Sequence, residues 1–289
     1  MNSVTFLFMA IVCALLPISG CQKNEPPAAP VEVRSEQQLD AEYRVILTEA
    51  GLAGGATPTT PAQIEPGQYG QLLTLAAGHG SPELLARLLA ARSEINLNEK
   101  YDGRTLLHAA AASLQAGNCN LLLERGLDPN ARDALGRTPL HLVVAQAPGE
   151  VLARLLLSRG ATVDLRDEQG LTPLLWAAPA SIKLLADKGA DLSAQDTNGN
   201  SALHWAAYRR AHEAAGSLLT LGVPPDLQNS AGKTALHAAL ELNDPQMAQL
   251  FIKAGAKTDI TDTAGFTTLQ LAEKSVNKKL RQVFGLSLP

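Results

Sequence analysis

Two series of glycines recur in phase through this 289-residue chain and constrain its fold more than any other feature. Successive members of the first series lie 33, 33, 34, 29, 33 and 33 residues apart: Gly70, Gly103, Gly136, Gly170, Gly199, Gly232 and Gly265. The second series is Gly126, Gly160, Gly189, Gly222 and Gly255. Periods of this length are typical of stacked structural units. We therefore expect a solenoid in which each unit buries its apolar side only against its neighbours.

A short motif lies between the two series and begins at Thr105, Thr138, Thr172, Ser201 and Thr234. Its copies read TLLHAA, TPLHLV, TPLLWA, SALHWA and TALHAA. A hydroxyl side chain can cap the first turn of a helix, and Pro139 suits the first helical position, where its missing N–H needs no partner. Glycine suits a tight turn before the motif and a left-handed cap after a second helix. The pattern predicts two short helices and one tight loop per unit.

These motifs resemble the ankyrin repeat, whose hallmark is a 33-residue period carrying T-P-L-H-x-A. The resemblance covers residues 68–289 and implies an all-α solenoid of helix-turn-helix units joined by β-hairpin-like loops. We expect units at about 68–97, 101–130, 135–164, 169–194, 198–227 and 231–260, with a capping unit at 264–289. The resemblance also implies that the motif histidines bridge backbone groups between units: His108, His141, His204 and His237.

The fourth unit departs from the period, because residues 172–189 are four fewer than the matching residues 105–126. Pro179 lies in the shortened stretch, where we expect it to end the first helix of that unit. The shorter unit either bends the stack locally or is a neutral deletion. The first unit has Leu72 and Leu73 in place of the motif, and the last has a polar run at 273–275, so both read as caps.

The first twenty residues form a leader without Lys, Arg, Asp or Glu. Its apolar run at 6–16 is too short to span a bilayer as a helix. The run 18–21 ends in Cys21 and resembles the lipobox of bacterial lipoproteins, which implies a signal peptide at 1–20 and a lipid-modified Cys21. The alternative is an ordinary leader with an incidental cysteine. Gln22, where the lipoprotein family uses Asp for inner-membrane retention, favours the outer membrane facing the periplasm.

Two segments separate this leader from the repeats. Residues 21–34 are rich in Pro and Ala, which predicts a semi-rigid tether. Residues 35–67 predict a short helix and a linker, since Ser35 and Gln38 form a capping-box pattern ahead of Leu39, Tyr43 and Ile46. After cleavage and lipidation, Cys119 would be the remaining thiol, and its place in a leucine-rich helix predicts a core position.

Composition and motifs argue against several functional classes. The net charge of −4 is unlike that of a nucleic-acid-binding domain. The sequence has no HExxH, paired CxxC, Walker loop or GxSxG, and His79 and His212 lie apart from acidic or cysteine partners. The motif histidines are about one unit apart, roughly 10 Å, which is too far for a shared metal. We therefore expect no catalysis, metal or cofactor.

Candidate partner-binding residues lie at hairpin tips and just before the motif. The place before the motif threonine holds Arg104, Arg137, Leu171, Asn200, Lys233 and Phe266, and two hairpins add Arg132 and Arg166. The four arginines Arg104, Arg132, Arg137 and Arg166 would form a basic strip that recognises an acidic partner. Local ion pairs with Asp133 and Asp167 are the alternative.

An aromatic group occupies the fourth and fifth units. Trp176 and Trp205 share one motif position, and Tyr208 follows one helical turn later. The rings could anchor a partner, or they could fill the interface between units. The residues at the matching places, Ala109, Leu142 and Ala238, are apolar and favour the core interpretation.

The combined expectation is a lipid-anchored protein of the bacterial cell envelope that binds another protein. The partner would be a periplasmic enzyme that it protects or a toxin that it inhibits. The alternative is a purely structural scaffold that self-associates.

Overall fold

A computed structural model describes residues 34–52, 64–92 and 96–287. The predicted signal peptide, Cys21 and residues 21–33 of the tether lie outside the described residues. The chain divides into two parts, residues 1–41 and residues 42–289. In the first part, Ser35 Oγ accepts a hydrogen bond from Gln38 N (3.3 Å), and Gln38 Oε1 accepts one from Ser35 N (2.8 Å). This is the capping box that the sequence predicts for the first helix.

Fifteen α-helices lie within the described residues. A single helix, α1 (Glu36–Glu49), comes first, and the other fourteen follow in pairs: α2 (Pro66–His79) and α3 (Pro82–Ala91); α4 (Leu106–Ala112) and α5 (Ala116–Glu124); α6 (Pro139–Val144) and α7 (Glu150–Ser158); α8 (Pro173–Trp176) and α9 (Pro179–Asp187); α10 (Ala202–Tyr208) and α11 (His212–Thr220); α12 (Ala235–Glu241) and α13 (Pro245–Lys253); α14 (Thr268–Lys274) and α15 (Lys278–Val283). The extended pairings among these residues are isolated bridges within loops, such as Gln195 with Ser201. The all-α repeat architecture is therefore confirmed.

Each helix pair packs against the next one. First helices contact first helices from α2 to α14, and second helices contact second helices from α3 to α15. Leucine and alanine form these layers; in α4, Leu106, Leu107 and Ala110 are completely buried. Cys119 of α5 is also buried, as expected, and burial raises the pKa of its thiol to about 12. At the start of the stack, the Glu42 carboxylate of α1 accepts hydrogen bonds from Ser81 N (2.5 Å) and Ser81 Oγ (2.8 Å) ahead of α3.

The glycine series occupy the predicted bends with one exception. Gly199 has φ +75°, and a Cβ on it would lie 2.9 Å from Ser230 N in the next hairpin. Gly70 was expected at an equivalent bend, and this is wrong. It lies inside α2, where a Cβ would overlap the Tyr101 ring. The first unit has a 14-residue helix at this point, so Gly70 serves close packing and not a turn.

The motif histidines connect successive units. His108 Nδ1 accepts from Thr105 N (3.3 Å) and lies 2.8 Å from Thr105 Oγ1, while its Nε2 lies 2.9 Å from the Arg137 carbonyl of the next unit. Nε2 of the other three lies 2.8–3.3 Å from equivalent carbonyls: His141 from Leu171, His204 from Lys233 and His237 from Phe266. The predicted bridging role is confirmed.

The fourth unit is short because its first helix has a single turn. Helix α8 has four residues and ends at Trp176, and Ala178 N then donates to the carbonyl of Val144 (2.7 Å). Pro179 was expected to end this helix; instead it begins α9, at the position where a proline needs no N–H partner. Leu175 replaces the motif histidine, and Thr172 Oγ1 is buried without a hydrogen-bond partner among the described residues.

Candidate protein-binding face

The hairpin loops and first helices carry the predicted partner-binding residues. Arg104 is exposed, and Arg137 and Lys233 are half-buried. Leu171 and Asn200 were expected to be exposed, and this is wrong, since they are only 4% and 7% exposed. Leu171 packs inward: its N–H donates to Asp167 Oδ1 (2.9 Å), and its carbonyl lies 3.0 Å from His141 Nε2. The Asn200 side-chain amide donates to Asp196 Oδ2 (3.1 Å). The place before the motif is therefore not uniformly a surface position.

The first pair of the expected basic strip shares one buried carboxylate. Arg137 Nη2 and Nε donate to Asp133 Oδ2 at 2.7 and 3.0 Å, and Arg104 Nε is 3.9 Å from the same oxygen. Burial opposes ionisation of Asp133, but hydrogen bonds from Arg137 and from the Leu135 N–H outweigh it and hold the pKa below its ordinary value. The alternative of local ion pairing is thus correct for Arg137.

The other two arginines join neighbouring hairpins. Arg132 Nη2 donates to the Arg166 carbonyl (2.5 Å), and Arg166 Nη1 donates to the Gln195 carbonyl (2.5 Å). Gln195 and Gln228 continue the same pattern, each with a 3.0 Å bond to the next hairpin. The sequence carries a signal for this role, because the four residues are long hydrogen-bond donors in one register. The Arg104 side chain is 45% exposed, compared with 28% for Arg137.

The aromatic side chains form a continuous surface, which we call the aromatic patch: Trp176, Trp205 and Tyr208. The Trp176 and Trp205 centroids are 5.6 Å apart at 67°, and those of Trp205 and Tyr208 are 6.0 Å apart at 86°. Trp176 is 39% exposed and Tyr208 is 38% exposed. The interpretation of Trp176 as a core residue is therefore wrong. Its helix ends at that residue, so no following turn covers the ring.

Hydrogen bonds from neighbouring polar side chains fix the rings of the aromatic patch. Asp196 Oδ2 accepts from Trp205 Nε1 (3.0 Å), and Asn200 Oδ1 accepts from Tyr208 Oη (3.4 Å) and Asn229 Nδ2 (2.9 Å). Burial raises the pKa of Tyr208, and the negative charge of nearby Glu241 adds to the shift. The hydrogen bond to Asn200 thus helps to position the Tyr208 ring. Asn200 itself is buried and is not a surface contact.

Two basic residues beside the patch, Arg209 and Lys233, also interact with other groups of the chain. Arg209 donates to the carbonyls of Leu175 (2.7 Å), Trp176 (3.2 Å) and Trp205 (3.2 Å), and its guanidinium lies 4.8 Å from the Trp176 ring centroid. Lys233 Nζ pairs with Glu241 Oε1 at 2.5 Å, and this hydrogen bond raises the pKa of the lysine. Arg209 therefore satisfies the carbonyls that the short helix α8 leaves open.

One further group of titratable side chains lies in the fifth and sixth units, where Arg210 and His212 both contact Asp244. Within the described residues, no three His, Cys, Asp or Glu side chains lie where they could hold one metal ion. His212, expected to be isolated, has Asp244 Oδ2 2.9 Å from its Nε2. Asp244 comes from the next unit, 32 residues away, so spacing within one unit could not indicate this pair. The same carboxylate caps α13 through Met247 N. The described helices include none long and apolar enough to cross a membrane.

Comparison with known proteins identifies the repeat. The family model "Ankyrin repeats (3 copies)" matches residues 62–133, 118–196, 140–223, 179–263 and 203–281. The chain is 41% identical over 63 residues to the neurogenic locus Notch protein of Drosophila melanogaster, covering 22% of this chain and 2% of that protein. It is 60% identical over 40 residues to a putative ankyrin repeat protein of Pyrobaculum aerophilum, covering 14% and 15%. With the human neurogenic locus notch homolog protein 4 it shares 34% over 148 residues, covering 50% and 7%.

The chain thus spans a small part of each of these relatives. A solved structure of the ankyrin repeat domain of Bcl-3, a member of the IkappaB protein family, has the same fold. It superposes with a TM-score of 0.64 at 24% identity and covers 74% of this chain and 97% of that domain. Such repeats serve protein–protein interaction, and proteins built from them are typically not enzymes. From its repeats and its fold together, this chain belongs to the ankyrin-repeat family.

Proposed function

We propose that this chain binds another protein in the bacterial cell envelope, where a lipid on Cys21 tethers it to the membrane. Its partner is a periplasmic enzyme that it protects or a toxin that it inhibits. The aromatic patch is the observation that carries the binding role. Exposed Trp and Tyr side chains held in fixed positions are typical binding hot spots.

The sequence supports the location. The short apolar run of the leader and the run ending in Cys21 are typical of an exported lipoprotein, and Gln22 favours the outer membrane; the leader departs from that pattern in lacking Lys or Arg near its start. An acidic partner surface remains part of the proposal at Arg104, whose side chain is exposed, but not at Arg132 or Arg166, which bond neighbouring hairpins. Binding is expected to leave the stacked units nearly unchanged.

Cys21→Ser tests the tether. The variant is expected to lose its lipid, because the thioether needs the cysteine sulfur, and to leave the membrane fraction or remain unprocessed. Fractionation and intact-mass measurement of the full chain report both outcomes, with Cys119→Ser as the matched control. A mass that differs from the wild type only by the exchange of sulfur for oxygen, together with unchanged membrane association, would refute lipidation. Affinity purification from detergent-solubilised envelopes then tests binding, and the absence of any enriched protein would contradict the proposal.

Self-association is the second candidate function. Leu269 in the last unit is 37% exposed, whereas the matching Leu236 is buried, and Val276 is 92% exposed. The last unit therefore presents apolar groups as well as the polar residues expected of a cap. Sedimentation at increasing concentration distinguishes the two functions. A scaffold forms larger species, and this association persists when the aromatic patch is altered.

A further inference from the structure

A groove with a cavity volume of about 660 Å³ runs along the second helices of the last two units. The lining residues of each helix are three and four positions apart and therefore share one face. They include Gln246, Gln249, Leu250 and Lys253 on α13, and Lys279, Gln282 and Val283 on α15. His212, at the start of α11, also lines the groove. Its volume falls in the range of ligand-binding clefts. The aromatic patch lies on the first helices α8 and α10, so the groove is a separate surface.

Positive charge lines this groove without an opposing acid. Lys253 and Lys279 are both exposed, one on each wall. Neither lysine belongs to an ion pair within the described part of the chain. Among the described residues that line the groove there is no Asp or Glu, although the chain as a whole carries a net charge of −4. Two lysines without an acidic partner favour a ligand that carries anionic groups.

The buried Asp244 fixes the groove without presenting an exposed charge. Its side chain is 4% exposed, and His212 Nε2 and Arg210 Nη1 lie 2.9 and 3.5 Å from its Oδ2. The same residue is the N-cap of α13. Ahead of α15, Asn277 Nδ2 donates to Asn243 Oδ1 (2.7 Å) and joins the two turns. The groove is therefore formed before a ligand binds, which lowers the entropic cost of binding.

The uncharged residues of the groove complement a peptide. The side-chain amides of Gln246, Gln249 and Gln282 are exposed, and each offers both donors and an acceptor. A peptide backbone has matching donors and acceptors, whereas a phosphate or sulfate ion accepts only. Leu250 and Val283 are half-buried and add apolar surface, which favours apolar side chains in the ligand. The lining thus selects a peptide segment over an inorganic anion.

We propose that this groove binds an acidic segment of the partner protein that also carries apolar side chains. This rests on the proposed binding function and names the chemistry of one segment that binds. Carboxylates of the segment pair with Lys253 and Lys279, and its apolar side chains pack on Leu250 and Val283. The face of α13 from Gln246 to Lys253 is about 10 Å long, so about three extended residues or two helical turns span it.

The groove also gives an acidic partner a site that most of the predicted arginine strip does not offer. Arg137 bonds Asp133, and Arg132 and Arg166 bond neighbouring hairpins. A carboxylate would have to replace those bonds, whereas at the two groove lysines it displaces only water.

Labelled peptides test this inference. The probe is a fluorescein-labelled dodecapeptide of three Glu-Glu-Leu-Leu repeats, and the full chain in nonionic detergent is titrated into it, with protein-free detergent as the blank. We expect a saturable rise in fluorescence anisotropy. The affinity should fall as the salt concentration is raised to about 0.3 M, because salt screens the exposed lysines. A peptide with Gln in place of every Glu should bind about tenfold more weakly or not at all.

Charge-reversed variants locate the binding. Lys253→Glu combined with Lys279→Glu is expected to weaken peptide binding by about tenfold or more, because two attractive charges become repulsive. Lys183→Glu combined with Lys188→Glu is the matched control. It makes the same change in net charge at two exposed lysines of another second helix, α9 and its C-cap, and should change the affinity less than about twofold. Far-ultraviolet circular dichroism confirms that each variant is folded.

Several results would overturn the inference. Equal affinity of the two charge-reversed variants would place the peptide elsewhere. Equal binding of a peptide with Ser in place of every Leu would reduce the effect to general charge attraction. Displacement of the peptide by millimolar inorganic phosphate would make the groove a site for small anions. Displacement by vesicles of equimolar phosphatidylcholine and phosphatidylglycerol would make a membrane surface the occupant.

Co-purification separates this inference from the proposed function. The variant with Lys253→Glu and Lys279→Glu is expected to recover at least several-fold less partner than the wild type. A partner that co-purifies equally with both would refute the inference and leave the proposed function intact. Peptide binding at the groove without any co-purifying partner would contradict the proposed function and keep the groove as a peptide-binding site.

Discussion

Asn118→Asp is expected to lower the free energy of unfolding by about 3–5 kcal/mol at pH 7, the cost of an unpaired buried charge. Asn118 is 1% exposed. Its Nδ2 donates to the carbonyls of Ala76 (3.2 Å), Ala77 (2.9 Å) and Gly80 (2.8 Å) of the preceding unit. A carboxylate has no proton to donate there and would face acceptors only.

Urea unfolding of the full chain at pH 7 measures this change. Asn120→Asp is the matched control, because Asn120 lies two residues away and bonds Glu124 at the exposed side of α5. We expect a change below about 1 kcal/mol there. The cost at position 118 should shrink at acidic pH, since a protonated carboxyl can donate to one carbonyl. Equal unfolding midpoints for the two variants would show that Asn118 does not join the first two units.

Acid should destabilise the repeats through their histidines. Burial lowers the pKa of His108, His141, His204 and His237 below the ordinary value of 6.5, despite the opposing hydrogen bond to the next unit. Their neutral form is therefore favoured in the folded state. Below pH 6.5 the unfolded chain binds protons that the folded chain does not, so the free energy of unfolding decreases as the pH decreases. The stability that the neutral histidines contribute is complete above pH 6.5. It is lost as the pH falls toward the folded-state pKa values.

Each such histidine contributes at most about 1.4 kcal/mol per pH unit. Urea midpoints between pH 7.5 and 5 measure the slope. The control combines His→Gln at all four positions, because Gln270 already forms the same cap with Thr267 in the last unit. We expect this variant to be less stable at pH 7.5, having lost the bonds between units, but nearly independent of pH in this window. An unchanged slope would assign the acid sensitivity to other groups.

Sequence spacing predicts the features that most units repeat. The hairpin turn at Gly199, the bridge made by His108 and the core position of Cys119 follow from one unit's own residues and its place in the series. A stack of equal units makes each such position equivalent, so several copies reinforce one prediction.

Features that depend on the neighbouring unit escape this reasoning. Gly70 lies in a helix and leaves room for the Tyr101 ring of the next unit, and Leu171 is buried although Arg104 at the same register is exposed. Trp176 is exposed at the end of the four-residue α8, and Arg209 of the next unit lies over its ring. Asn118 gives no local signal, because its three acceptors belong to the preceding unit.

Site-specific photo-crosslinking tests the central claim most directly, namely that a partner protein docks on the aromatic patch. A photoreactive phenylalanine derivative replaces Tyr208 in the full chain, and the same derivative replaces Val151 as the control. Irradiation of intact cells that naturally produce the protein is predicted to yield one discrete protein adduct from position 208 and none from position 151. No adduct from position 208, or the same adducts from both positions, would contradict the account.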